Sequence, residues 1–351
     1  MKKFIVLLII VFEVCINAQP YIYYSAKEEH PSWGTLEKIV RYNLKTNCTE
    51  DFFPDQVLGA SASCIWDQTQ SFVMISLLRD GFTIYNCSNT KVYYDLGYWG
   101  SQINQMLFSK KRNKLFLFSD DYKKISVFNI SADSISFEYN YLLGNESYDT
   151  GLTNPSCTAS FSSDGNQIFI FNFDSNEISQ VWTFSIVNKQ IIQKINLAEL
   201  GYSGSGGYDL RFGKKGKGIV TSYPSYSNPI RDFYYRIYDF DNNTGSDFIY
   251  HNGLSEAYFA NDGDLILIMN TFRDDSTWEY YHTGEGFIYN TKNAQLIERI
   301  HLPSKGKIYS FDAEQQNLYY VKDIESDNRE IYLISFDSYE DEPQVIKQFP
   351  K

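Results

Sequence analysis

An aromatic residue followed seven positions later by an aliphatic one, opening a strongly apolar run, recurs six times in this chain. The pairs are Trp66/Val73, Phe108/Leu115, Phe161/Ile168, Phe212/Ile219, Phe259/Ile266 and Phe311/Leu318. Such a repeat constrains the fold tightly, because each unit can bury its apolar faces only against its neighbours. Short polar turns lie inside the pairs, among them Ser162-Ser163-Asp164-Gly165, Lys214-Lys215-Gly216 and Asn261-Asp262-Gly263. Asp-Gly and related pairs supply the positive-φ positions of tight hairpins. Each pair therefore predicts a hairpin of two strands, here called a and b.

The b strands are continuously apolar, as in Leu115-Phe116-Leu117-Phe118, Ile168-Phe169-Ile170-Phe171 and Leu265-Ile266-Leu267-Ile268. A strand apolar on both sides must be covered on both faces, and in a helix-poor chain the covers are other sheets. A second motif, an apolar or aromatic residue followed by Asn or Asp, ends a third strand, c. It occurs as Tyr42-Asn43, Tyr85-Asn86, Phe128-Asn129, Val187-Asn188, Tyr238-Asp239, Tyr289-Asn290 and Phe336-Asp337. A turn and a fourth strand, d, follow, as in 190–196 and 295–301. The units hold four strands over about 43–59 residues by this spacing.

Sequential four-stranded antiparallel sheets at this period predict an all-β fold, a β-propeller. The pattern resembles the broad seven-bladed propeller group with WD40-like, YVTN-like and TolB-like repeats, over nearly all of residues 20–349. The best matches are Phe161-Ser162-Ser163-Asp164-Gly165 and Phe259-Ala260-Asn261-Asp262-Gly263. The resemblance is architectural: Trp66-Asp67 falls at an a–b turn and not at the end of strand c, so no functional residue carries over. About seven blades fit the length, with six or eight left open. The first unit is short, with 21–25 as b, 36–43 as c, 49–53 as d and no strand a located.

The N-terminus reads as an address. Lys2 and Lys3 precede an apolar run at 4–12, and Asn17-Ala18 leads to Gln19-Pro20. This is the pattern of a secretory signal peptide, 1–18, cleaved after Ala18, which leaves 19–351 as a single propeller domain. The run is too short to span a bilayer, and no later stretch approaches about 20 apolar residues. A lipoprotein anchored through Cys15 is the rival, disfavoured by Glu13 and Val14 where small residues are wanted. Four cysteines then remain: Cys48, Cys64, Cys87 and Cys157. Cys48 and Cys87 lie near matching turns of adjacent repeats and are the candidate disulfide, while Cys64 and Cys157 also suit buried thiols. Asn47, Asn86, Asn129, Asn145 and Asn242 head N-x-S/T sequons.

In an up-and-down blade the a–b and c–d turns share one end, and the b–c and d–a connections share the other. The long connections are b–c or d–a: 26–35, 97–102, 143–155, 198–207, 224–232 and 272–283. Long loops on a rigid scaffold are where binding residues concentrate. These carry Trp33, Trp99, Tyr148, Tyr202, Tyr226, Arg231, Arg273, Asp274, Asp275, Trp278, Tyr281 and His282, side chains suited to a ligand face. Four sequons, all but Asn145, fall on the opposite, short-loop face, so glycans there would leave the long-loop face open.

Catalytic and metal motifs are near misses. Gly201-Tyr202-Ser203-Gly204-Ser205 lacks the last glycine of a nucleophile elbow and reads as a d–a loop. The segment from Asp239 to Gly245 resembles a calcium loop with its glycine one place late, and reads as a c–d turn. Calcium held by Asp274, Asp275 and Glu279 is the one cofactor considered, but a solvated acidic loop is the default reading, so no cofactor is expected. The four histidines, His30, His251, His282 and His301, show no metal-ligand spacing. A net charge of −12 disfavours phosphate-backbone binding, so nucleic acid is not an expected partner.

The resulting expectation is a secreted, extracellular recognition or adhesion module that binds a glycan or a protein on its long-loop face, without a catalytic site. An extracellular hydrolase or lyase acting on a glycan or small ester is the alternative, and a structural matrix protein the third.

Overall fold

The computed structural model describes residues 21–30, 34–43, 48–51, 63–66, 72–77, 81–86, 92–95, 103–119, 124–131, 134–143, 159–173, 178–203, 206–213, 216–223, 232–260, 264–273, 280–309, 317–322, 330–335 and 344–348. The chain divides into two compact units, Met1–Ala62 and Ser63–Lys351. In the first, β1 (Tyr21–His30), β2 (Gly34–Asn43) and β3 (Cys48–Asp51) form an antiparallel sheet in that order. These are the expected b, c and d strands. The hairpin is longer than its apolar pattern suggested: pairing runs to His30 opposite Gly34, where 26–35 was expected to be a loop. Backbone pairing does not require apolar side chains, so a polar hairpin extension escapes a hydrophobicity pattern.

The second unit repeats one plan, numbered here as blades two to seven in chain order. Blade two holds β4 (Ser63–Trp66), β5 (Phe72–Leu77), β6 (Gly81–Asn86) and β7 (Val92–Asp95). Blade three holds β8 (Ile103–Ser109), β9 (Lys114–Ser119), β10 (Lys124–Ile130) and β11 (Ile135–Leu142). Blade four holds β12 (Ala159–Phe161), β13 (Gln167–Phe173), β14 (Ser179–Ser185) and β15 (Gln190–Asn196), followed by the one-turn helix α1 (Leu197–Leu200). Blade five holds β16 (Gly207–Phe212), β17 (Lys217–Tyr223) and β18 (Asp232–Asp239), with β19 (Thr244–Gly245) and β20 (Ile249–Asn252) sharing its d position. Blade six holds β21 (Ser255–Ala260), β22 (Leu265–Arg273), β23 (Tyr280–Asn290) and β24 (Leu296–His301). Blade seven holds β25 (Gly306–Tyr309), β26 (Asn317–Lys322), β27 (Glu330–Ser335) and β28 (Gln344–Gln348). All pairings are antiparallel between neighbours, and one pair, His282 opposite Gly306, joins blades six and seven into a continuous sheet.

The seven-residue spacing turns out to be a cross-strand pair. Trp66 faces Val73, Phe108 faces Leu115, Phe161 faces Ile168, and Phe259 faces Ile266. Phe212 is one step out, opposite Gly218. Gly165 supplies the expected positive φ, +67°, in its a–b turn.

Alternation along the b strands explains their double apolarity. In β9, Leu115 and Leu117 pack with Phe72 and Ile84 of blade two, whereas Phe116 and Phe118 pack with Ile168 and Trp182 of blade four. In β13, Ile168 and Ile170 face blade three while Phe169 and Phe171 meet Leu210 and Phe240 of blade five. In β22, Ile266 and Ile268 face blade five, and Leu265, Leu267 and Met269 face blade seven. Each fully buried Leu, Ile or Phe contributes about 1.5–3 kcal/mol. These inter-blade layers are the core.

Apart from β25, which meets β23, strand a has no strand partner on its other edge among the described residues, so its carbonyls need donors. The preceding blade supplies them. Gln105 Nε2 donates to the Ala159 oxygen at 3.0 Å, Ser160 Oγ to the Gly213 oxygen at 2.7 Å, and Arg211 Nη1 to the Ala257 oxygen at 3.0 Å.

Candidate functional site

Two groups of side chains gather at the end of the blades that carries the b–c and d–a connections. The first is an aromatic platform on the rim of blade five. Tyr202 leaves α1 of blade four and stacks on Tyr234 of β18, with ring centroids 3.8 Å apart and planes 2° from parallel. Tyr250 of β20 extends the group, 5.5 Å from Tyr234, and Phe248 meets Tyr202 edge-on. Tyr250 Oη donates to Asp232 Oδ1 at 2.8 Å, and that bond raises the Tyr250 pKa above its ordinary value. Tyr202 is held by its amide, which donates to Ser222 Oγ at 2.9 Å. The platform is open to solvent: Tyr202 is 39% exposed and Tyr250 51%.

The second group lies on the a strands of blades five and six. Asp209 and Arg211 project from one side of β16, and Glu256 and Tyr258 from one side of β21. The Arg211 guanidinium spans the gap, with its carbon 4.6 Å from the Tyr258 ring centroid and Nη2 3.9 Å from Glu256 Oε2. Tyr258 Oη donates to Glu256 Oε2 and lies 3.0 Å from His282 Nε2 on β23. A tyrosine has one hydroxyl proton and a carboxylate can only accept, so His282 donates from Nε2 to Tyr258 Oη. Tyr235 Oη, beneath the group, donates to the Ser255 oxygen at 2.9 Å.

Electrostatics follow from this packing. Burial pushes the Asp209 carboxyl up, and the Glu256 charge adds to the rise; the Leu210 amide and Arg211 oppose it. Burial and the Glu256 charge together hold the Tyr258 hydroxyl well above its ordinary value. The group still reaches solvent, since the Glu256 side chain is 40% exposed and that of Arg211 23%.

No protein-family model matches the chain, and no curated protein matches it. Solved structures do. A protein from Lactobacillus plantarum is similar with a TM-score of 0.53 at 10% identity, covering 94% of this chain and 95% of that one. The β-propeller domain of Myceliophteria thermophila Cps50 (Swd1) is similar with a TM-score of 0.51 at 10% identity, covering 91% and 99%. The fold is a β-propeller. Identity this low carries the architecture and nothing of ligand or activity. In a propeller the a strands sit nearest the axis, so the Asp209–Glu256 group is an inner site and the tyrosine platform an outer one.

Of the residues expected on the propeller's ligand face, Tyr202 lies in the platform, Arg273 is exposed at the end of β22, and Tyr281 packs beside Phe272 at 6.2 Å. His282 is a correction. It was expected in an open loop, but β23 begins at Tyr280 and buries it to 3% exposure. On β23 His282 shares a face with Gly284, Gly286 and Ile288, all buried, and that alternation is the signal missed. Likewise 198–207 is not all loop, since α1 buries Leu197 and Leu200; four residues are too short for a helical period. Trp33, Trp99, Tyr148, Tyr226, Arg231, Asp274, Asp275 and Trp278 lie outside the described residues, as do Asn47, Asn145 and Cys87. Asn86 ends β6 and Cys48 opens β3; Asn129 and Asn242 are exposed on the short-loop side. In the 239–245 turn, Asp239 Oδ1 accepts the amides of Asp241 and Asn242 at 3.0 and 3.1 Å, as the c–d turn reading requires.

Sequence reasoning missed Asp232, Tyr234 and Tyr250, whose strands showed only abundant tyrosine. It also missed Asp209, Arg211, Glu256 and Tyr258. A signal for those exists: Asp209 and Glu256 both stand three residues before the repeat aromatic, where other repeats have Ser63, Gln105, Thr158 and Ile308.

Proposed function

We propose that this propeller is a secreted recognition module whose long-loop face binds a glycan or an extracellular protein. The observation that carries the reading is the Tyr202–Tyr234–Tyr250 platform with Asp232 at its edge. Tyrosine offers large contact area with few rotatable bonds and a polar tip, which is why it dominates recognition surfaces. Ring faces beside a carboxylate acceptor suit a sugar, whose C–H face stacks while its hydroxyls donate, and this favours the glycan. The signal peptide pattern supports secretion.

Binding of the purified mature protein to glycan and extracellular-protein arrays, with and without calcium, tests this. Saturable binding is expected, weakened about tenfold in Tyr250→Ala, the equivalent of about 1.4 kcal/mol. A folded protein that binds nothing on either array overturns the reading.

A further inference from the structure

We propose that Tyr202 and Tyr234 are an oxidative cross-linking site, a pair that hydrogen peroxide and a haem peroxidase join into a dityrosine between blades four and five. Recognition would use these rings as contact surface, whereas coupling uses their phenol chemistry. The site rests on the secretion in the reading above, because the oxidant must reach the protein and the compartment outside the cell is oxidising. It does not rest on binding of a glycan.

The two rings lie 3.8 Å apart, centroid to centroid, with planes 2° from parallel. Ring carbons at that separation are in van der Waals contact. Desolvation first, then the Tyr202 phenol through its charge and its hydrogen bond, raise the Tyr234 hydroxyl, so the two hydroxyls meet at one end of the stack. The carbons beside the hydroxyls, where a phenoxyl radical carries unpaired spin, therefore face each other. One residue fixes both rings. Ser222, fully buried on β17, pairs with Tyr234 across the sheet and accepts the Tyr202 amide at 2.9 Å. The Tyr202 carbonyl in turn accepts the Tyr208 hydroxyl at 3.3 Å. Groups held in contact react as one intramolecular pair. Two other tyrosine pairs are worse placed. Tyr234 and Tyr250 are 5.5 Å apart at 54°, and Tyr320 and Tyr332 6.1 Å apart at 66°, with Tyr320 fully buried away from any oxidant. Tyr202 is exposed, on the connection after α1, and turns its ring as the bond forms.

Each phenol gives up one electron and its hydroxyl proton. The two phenoxyl radicals join through a carbon–carbon bond between the positions beside the hydroxyls. The hydrogen on each joined carbon then shifts to the oxygen, which restores both phenols. Through the peroxidase, hydrogen peroxide takes up the two electrons and two protons and leaves as two waters. The protein is lighter by two hydrogens, and a covalent bond spans the rim from blade four to blade five.

The test treats the purified mature protein, dilute and monomeric, with a haem peroxidase and one equivalent of hydrogen peroxide. A monomer lighter by two hydrogens is expected, with dityrosine fluorescence and a proteolytic fragment pair joined at Tyr202 and Tyr234. Tyr202→Phe and Tyr234→Phe keep a ring in the stack and remove its hydroxyl, and each should lower the monomer's dityrosine by about tenfold or more. Tyr280→Phe removes a tyrosine that is just as exposed and should leave the yield unchanged. Thermal melts establish that each variant folds, and if one does not, the mapped fragment pair and the other variant decide. No cross-link within the monomer, a link mapped to other tyrosines, or a wild-type yield from folded Tyr202→Phe or Tyr234→Phe overturns the site. Cross-linking without array binding would remove the recognition reading and leave the site standing. Binding without cross-linking would do the reverse.

Discussion

The carbonyl oxygen of Gly284 accepts the amide of Leu302 at 2.7 Å, and a Cβ on Gly284 would stand 2.0 Å from the Leu302 oxygen. Gly284 has φ +94°, which L side chains rarely adopt. It marks the point where β23 changes partner: Glu285 onward pairs with β24, and His282 pairs with β25 of the next blade. Gly284→Ala is therefore expected to destabilise the protein by about 3 kcal/mol or more, from strain and backbone collision together. Urea unfolding checks this. A change under about 0.5 kcal/mol would show that the junction is not held as described.

Phe116 and Leu117 are adjacent, fully buried, and belong to different inter-blade layers. Truncating either to Ala should cost about 3–5 kcal/mol for Phe and 2–5 for Leu. A sheet with one wet face would show a large effect at only one of the two positions. Denaturant titration of both variants distinguishes the cases.

Asp209 gives a pH dependence with a definite sign. Its folded pKa is raised by burial above the ordinary 3.8, so its contribution is fully present below that value and is lost as pH rises through the folded pKa. Asp209→Asn removes the loss. The Tm of the variant minus that of wild type should therefore rise from pH 3.5 towards pH 8. A flat difference would mean that Asp209 ionises without cost in the fold.

Asp239 closes its c–d turn through three bonds, two from backbone amides and one from Asn242 Nδ2 at 2.9 Å. Asp239→Ala should lower stability by about 1–2 kcal/mol. If the carboxylate serves the turn and not a cation, a chelator will leave the wild-type Tm unchanged. A chelator-sensitive Tm restored by calcium would contradict the turn reading.

The repeat, the strand order within each blade and the two-sided b strands were legible in the amino-acid sequence. They rest on local periodicity: Phe161 and Ile168 pair across a short turn, and Phe169 and Ile170 point to opposite faces, whatever lies around them. Tyr202 was legible as a candidate for the same reason, since a loop position needs only local turn chemistry.

What tertiary structure decided is which residues from different repeats meet. Tyr202 and Tyr234 stack across 32 positions of chain, and Arg211 reaches Ala257 across 46. No local period encodes those distances. His282 reads the same in sequence whether strand β23 starts before or after it, and what buries it is its place in the sheet, between Thr271 and Gly306 and beside Tyr258 and Tyr320. Asp209 and Glu256 become neighbours because packing apolar layers brings equivalent strands together. Burial then raises the Asp209 carboxyl, and burial is a property of the assembled molecule.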